Sequence, residues 1–167
     1  MARIIIVDEQ DEIIGHKERG TLDASDIYRV AALWITNSDG SILLAQRKFT
    51  KKHDPGKWGP AVAGTVDEGE TYDSNIAKEA AEEIGLTDLA GLMTGPKIRF
   101  NNTYQYFCQW YRLCIDWPIQ AFTIQESEVE QIKWFTPTEL TADFQQHTDH
   151  YVPTFEITLQ RFGLTSD

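Results

Sequence analysis

The chain has 167 residues, a length that suits one domain built around a single substantial core. Its 26 acidic and 15 basic side chains leave a net charge of −11, which argues against non-specific binding to nucleic-acid polymers or anionic membranes. A phosphorylated ligand remains compatible with that charge, because a bound metal or a local cation cluster can invert the field at one site.

No apolar run approaches the roughly 20 residues of a membrane-spanning helix. The N-terminal Ile4-Ile5-Ile6-Val7 is too short for the apolar segment of a signal peptide and is followed by acids, so it reads as a buried strand. In chain order, the patterning predicts strands at Arg3–Val7 and Glu12–His16, joined through Asp8–Asp11. A strand from Tyr28 to Thr36 follows, then the turn Asn37-Ser38-Asp39-Gly40 and a strand over Ser41–Arg47. Phe49–Trp58 is a polar loop containing Pro55-Gly56, and Pro60–Val66 reads as one strand. A helix is predicted over 72–84, with Thr71 as N-cap, Ala77, Ala80, Ala81 and Ile84 as its apolar face, and Gly85 past its end. Thr87–Pro96 is a connection, with strands at Ile98–Phe100, Tyr104–Ile115 and Glu130–Phe135 beyond it. Thr136 and Pro137 open a short helix through Phe144, and a last helix over 153–162 carries Phe155, Leu159 and Phe162 on one stripe. Strands broken by a few helices, without regular βαβ units, indicate an α+β fold.

Cys108 and Cys114 share one predicted strand, which separates them by roughly 20 Å, well beyond disulfide reach. Free thiols suit a reducing cytoplasm, the expected location. Tyr104, Tyr106, Phe107, Trp110, Tyr111 and Trp117 offer ring faces for stacking, but strand alternation assigns most of them to the core.

The predicted helix over 72–84 places Glu79, Glu82 and Glu83 at i, i+3 and i+4, on one face. Like charges so spaced cost about 0.2–0.5 kcal/mol per pair, and most glutamate clusters are simply solvated. A hard divalent cation would reverse that cost, because it takes oxygen ligands and can hold phosphate oxygens at the same time. The wider spacing favours this second reading. Gly64, Glu70, Lys78, Glu79, Ala80, Glu82, Glu83, Gly85 and Leu86 stand at the spacing of the Nudix box, and the segment Gly64–Leu86 closely resembles it. One position departs, with Lys78 where the family has arginine. The Pro-Gly loop, the aromatic strands and Lys133-Trp134-Phe135-Thr136-Pro137-Thr138-Glu139-Leu140 extend the resemblance over most of the chain. The N-terminal strand pair is similar to the branch containing isopentenyl-diphosphate isomerase and its hydrolase-like relatives.

The resemblance implies an α/β/α sandwich with a mixed central sheet and the box as loop–helix–loop. Residues 1–26 would form an N-terminal strand extension, 27–162 the Nudix domain and 163–167 a tail. It also implies hydrolysis of a diphosphate linkage in a small organic substrate, by water attack on phosphorus with Mg²⁺, or Mn²⁺ as a substitute. Glu79, Glu82 and Glu83, the carbonyl of Gly64 and Glu128 would hold the metal, with Glu79 also a candidate general base and Glu126 the alternative to Glu128. Glu70 would orient Lys78, although lysine lacks the two-pronged fork of arginine. Among the cations Arg47, Lys48, Lys51, Lys52 and Lys57, Arg47 is the candidate for contacting a phosphate, while His53 has no assigned role. Two other readings compete. In the isomerases a cysteine precedes the box glycine and a histidine follows it, but here those positions hold Ala63 and Thr65, so isomerisation is disfavoured. A non-catalytic ligand-binding domain would have no use for three clustered glutamates. The sequence leaves the substrate open, and a homodimer is compatible with it.

Overall fold

The computed structural model describes residues 2–165; the ends of the expected N-terminal extension and C-terminal tail, residue 1 and residues 166–167, lie outside them. The longest strands organise the molecule. Strand β3 (Ile27–Thr36) pairs in parallel with β8 (Gln105–Cys114) over its full length. Its other edge takes β1 (Arg3–Val7), β6 (Val62–Thr65) and β4 (Ile42–Arg47) in succession, all antiparallel. Strand β2 (Ile13–Glu18) extends the sheet beyond β1, β7 (Met93–Asn101) beyond β8, and β5 (Trp58–Pro60) and β9 (Val129–Phe135) flank β4. The sheet is therefore mixed.

Alternation along β3 sends its side chains to two cores. Ala31, Leu33 and Ile35 pack with Ile76, Ala80 and Ile84 of helix α1 (Tyr72–Ile84). Ala32 and Trp34 pack on the other face with Leu140 and Phe144 of α2 (Pro137–Gln146) and Phe155 and Leu159 of α3 (Phe155–Arg161). Helices on both faces make the α/β/α sandwich. Thr71 caps α1 as expected: its hydroxyl accepts from Ser74 N at 3.0 Å, while Ser74 Oγ accepts from Thr71 N at 2.9 Å. Gly85 ends the helix with φ of 70°, a left-handed conformation that glycine adopts without steric cost.

Several elements differ from the sequence reading. Pro60–Val66 is not one strand: β5 turns towards β4 and β6 towards β3, with buried Ala61 between them. Strand β7 starts at Met93, within the expected connection, and a register shift between Thr94 and Lys97 accommodates Pro96. Strand β2 begins one residue later than expected and runs to Glu18. On α1, Ala77 faces solvent, and Asn75 and Ile76 take its place in the buried face. Phe162 lies just past α3 but stays on the expected stripe, stacked on Trp34 with ring centroids 4.4 Å apart. Phe107, Trp110 and Tyr111 are buried, as strand alternation predicts.

The N-terminal hairpin braces the loop that precedes α1. Glu68 N donates to Arg3 O at 2.7 Å, and Arg19 Nη2 donates to Asp67 Oδ1 at 3.0 Å. The turn of the hairpin is pinned by Asp11, whose carboxylate accepts from Arg29 Nε at 2.7 Å, Tyr72 OH at 2.9 Å and Lys97 Nζ at 2.6 Å. One aspartate thus ties β3, α1 and β7 to the extension.

Candidate active site

Strand β6, helix α1 and the turn before β9 meet at a group of carboxylates. Gly64 lies under Glu79: a methyl group added to this glycine would stand 2.5 Å from Glu79 Cγ and 2.6 Å from Cδ. Only a residue without a side chain allows α1 to bring its carboxylate this close to the strand. Glu83, one turn further along α1, is half-buried and faces Glu79. Burial and the facing Glu79 push its pKa up to about 9, with a smaller push from Glu128, while a backbone hydrogen bond from Ala63 partly offsets them. Burial also raises Glu79, against the pull of the Glu83 hydrogen bond and Lys78. Glu82 is exposed, and its charge adds to the rise at Glu79. Among the described residues no lysine or arginine forms an ion pair with Glu82 or Glu83.

Glu128 reaches the group through the backbone. Gln125 N donates to Glu83 O at 2.8 Å, and Glu128 N donates to Gln125 O at 2.9 Å, so the Glu128 turn hangs from the last turn of α1. Its carboxylate pairs with Lys51. Glu126, the alternative, is exposed.

Beside these residues, Lys78 Nζ lies 2.6 Å from Glu70 Oε2, 3.6 Å from Asp67 Oδ2 and 3.7 Å from Glu79 Oε1. Glu70 Oε1 accepts from Asp67 N at 2.8 Å and from Asn75 Nδ2 at 3.1 Å. Burial works to raise the Glu70 pKa, but Lys78, Asp67 N and Asn75 outweigh it and hold the carboxyl below its ordinary value. Asn75 also donates to Thr65 O at 3.0 Å, which joins the box loop to β6. Sequence reading missed the roles of Asn75, Asp67 and Lys51. Asn75 carried a signal in retrospect, being a polar residue at i−4 from Glu79 on a helix whose neighbour Ile76 is apolar.

Arg47, the candidate for contacting a phosphate, stands at the end of β4. Its Nε donates to His53 O at 3.0 Å, which shapes the loop between β4 and β5. His53 Nδ1 in turn lies 3.3 Å from Tyr104 OH. Cys108 is buried, where desolvation pushes its thiol up out of reach of ionisation, and Cys114 is exposed; neither forms a disulfide.

The donor set suits a hard divalent cation. Glu79 and Glu83 are two carboxylates brought together in a partly buried setting without a lysine or arginine between them, a charge arrangement that needs either a shared proton or a cation. Among the described residues, no three carboxylate, histidine or cysteine side chains are already gathered into a ready-made cage. Ligation by this set therefore needs side-chain rotation.

This arrangement is that of the Nudix fold and box, and comparison with known proteins agrees. The NUDIX domain family matches residues 27–155, and the chain belongs to that family. It is an enzyme of the Nudix hydrolase class. An uncharacterized Nudix hydrolase of Yersinia pestis is 27% identical over 157 residues, covering 93% of this chain and 85% of the relative. An isopentenyl-diphosphate Delta-isomerase of Kocuria rhizophila is 26% identical over 148 residues, covering 84% and 81%. A crystal structure from Deinococcus radiodurans superposes with a TM-score of 0.72 at 27% identity, covering 86% of this chain and 89% of the other. Among the described residues no helix is long and apolar enough to cross a membrane.

Proposed function

We propose that this Nudix enzyme hydrolyses a diphosphate linkage in a nucleoside diphosphate derivative or related organic diphosphate, by metal-dependent attack of water on phosphorus. The observation that carries this reading is the pair Glu79 and Glu83 on α1 beside Gly64 of β6, with the Glu128 turn hung from the Glu83 carbonyl through Gln125. Glu79, Glu82, Glu83, Glu128 and the Gly64 carbonyl would hold Mg²⁺, with Mn²⁺ as a substitute. Bound there, the ion would polarise the phosphoryl oxygens and lower the pKa of a coordinated water.

The chain's own groups supply the rest. Glu79 has its proton affinity raised by burial, which suits a carboxylate that accepts a proton from water, while Lys78, 3.7 Å away, pulls against that rise. Glu70, charged at neutral pH, fixes Lys78 from the other side and is itself fixed by Asn75 and the Asp67 amide. The residues thus form a proton acceptor, an orienting cation and a frame.

The likeness to an isomerase keeps a second reading in view. Isomerisation of an allylic diphosphate needs an acid and a base on opposite sides of a carbon skeleton. Ala63 has no ionisable group where the isomerases place their cysteine, Thr65 replaces their histidine, and buried Cys108 packs in the core on the α2–α3 side of the sheet. A phosphate-release screen over nucleotide sugars, dinucleotides, coenzyme A derivatives, ADP-ribose and oxidised nucleoside triphosphates, with Mg²⁺ and Mn²⁺, tests the proposal. Turnover of at least one class is expected, and silence across all of them with folded, metal-loaded protein would count against it.

A further inference from the structure

We propose that Lys51 is a phosphate-binding residue held in reserve by Glu128, and that a divalent cation releases it by taking Glu128 over. The inference rests on the proposed role of Glu128 as a cation ligand.

Among the cations at the end of β4 and in the loop that follows it, Arg47 donates Nε to the His53 carbonyl at 3.0 Å, and Lys48 pairs with Glu130 at 3.3 Å. Lys51 alone pairs with a carboxylate of the candidate active site. Its position is built by the backbone: Lys48 N donates to Glu128 O at 3.2 Å, and Lys51 N donates to Lys48 O at 3.2 Å. The turn bearing Lys51 therefore hangs from Glu128, and the Glu128 turn hangs from Glu83 through Gln125. Two consecutive backbone links place the ammonium at the edge of the carboxylate group.

A carboxylate neutralised by an ammonium binds a divalent cation less readily, because the cation must first displace the ammonium. Once displaced, the ammonium stays tethered by the same turn, next to where a cation-bound diphosphate would lie. A lysine ammonium is a compact charge with three donors, well suited to non-bridging phosphate oxygens. The pair is only partly shielded, with side-chain exposures of 28% for Lys51 and 42% for Glu128, so exchange of partners is cheap.

The two halves of this inference predict opposite effects of one substitution. Mn²⁺ binding can be followed by the electron paramagnetic resonance signal of free Mn²⁺, and binding of methylenediphosphonate in saturating Mn²⁺ by calorimetry. Lys51→Met is expected to bind Mn²⁺ about two- to fivefold more tightly, the range for losing a partly exposed ion pair. The same variant is expected to bind methylenediphosphonate about tenfold more weakly, as for losing a hydrogen bond to a charged group. Lys51→Arg should restore most of the diphosphonate affinity. In a Glu128→Gln background Mn²⁺ binds more weakly, and Lys51→Met no longer improves it. If Glu128→Gln weakens Mn²⁺ binding but Lys51→Met leaves either affinity unchanged, the inference is overturned while Glu128 stands as a ligand. If Glu128→Gln leaves Mn²⁺ binding unchanged, both the inference and the ligand role of Glu128 fail.

Discussion

Gly64 and Glu79 touch: the hydrogens on the glycine's α-carbon fill the space beneath the glutamate side chain, and a methyl group there would lie 2.5 Å from Glu79 Cγ and 2.9 Å from Oε1. The conflict is with a side chain that can swing away, not with backbone. Gly64→Ala should therefore fold, losing about 1–3 kcal/mol as overpacking does, while its turnover falls at least tenfold because Glu79 is displaced. Chemical denaturation together with kcat checks this. Full activity in a stable Gly64→Ala protein would separate Glu79 from the chemistry.

Glu82→Gln and Glu83→Gln each remove the charge of a proposed ligand without changing side-chain volume. Loss of groups that merely support ligands costs about 10–100-fold, so each of these should lower activity by about 100-fold or more. Both variants are expected to remain folded. Glu83→Gln should also leave the metal-free protein at least as stable as the parent, since it removes an ionisable group that faces Glu79 in a partly buried setting. Excess chelator should silence the parent enzyme. Thermal melts with and without Mg²⁺ give the comparison: the metal-induced rise in Tm expected for the parent should shrink in Glu83→Gln.

Lys78 makes its shortest contact with Glu70, at 2.6 Å, but also lies near Asp67 and Glu79. Arginine could bridge two of these carboxylates with one planar fork, where lysine shares a point charge among three. Lys78→Arg is expected to keep or raise kcat. A large loss with intact folding would mean that the site is shaped around the ammonium.

The box helix and its cap were legible because local rules fix them: threonine at the start, glycine at the end and a helical period between. The three glutamates on α1 were legible for the same reason. Ala77 was misassigned because alanine fits either face, and burial follows which residues meet β3, a long-range matter. Arg47 illustrates a different limit. Its charge and position at a strand end are local, but its partner is the His53 carbonyl, presented by a loop whose path depends on contacts with Glu128 and Tyr104. The division of 60–66 into β5 and β6 was hidden likewise, because the two halves pair with different strands.

Asp11 contributes to the decline of stability in acid. Burial would raise its pKa, but Lys97, Arg29 and Tyr72 outweigh that effect and hold it below the ordinary 3.8. Its contribution is therefore fully present above about pH 4, the unfolded value, and is lost as pH falls through the lower folded value. Asn tolerates the left-handed backbone at this position, where φ is 61°, so Asp11→Asn isolates the charge. The variant should lose about 1–3 kcal/mol at pH 7 and show a flatter decline in acid. An equal dependence of stability on pH for the two proteins, from urea melts between pH 2 and 7, would exclude Asp11 as a contributor.

The reaction class can be decided in one incubation. Enzyme and Mg²⁺ are mixed with the diphosphate panel, isopentenyl diphosphate and dimethylallyl diphosphate included, in water enriched in both deuterium and ¹⁸O. Metal-dependent attack of water on phosphorus predicts one ¹⁸O in a phosphate-containing product, no carbon-bound deuterium in either isoprenoid, and no product in excess chelator. Catalytic deuterium incorporation into an isoprenoid skeleton, or ¹⁸O-labelled product formed at full rate without metal, would contradict it.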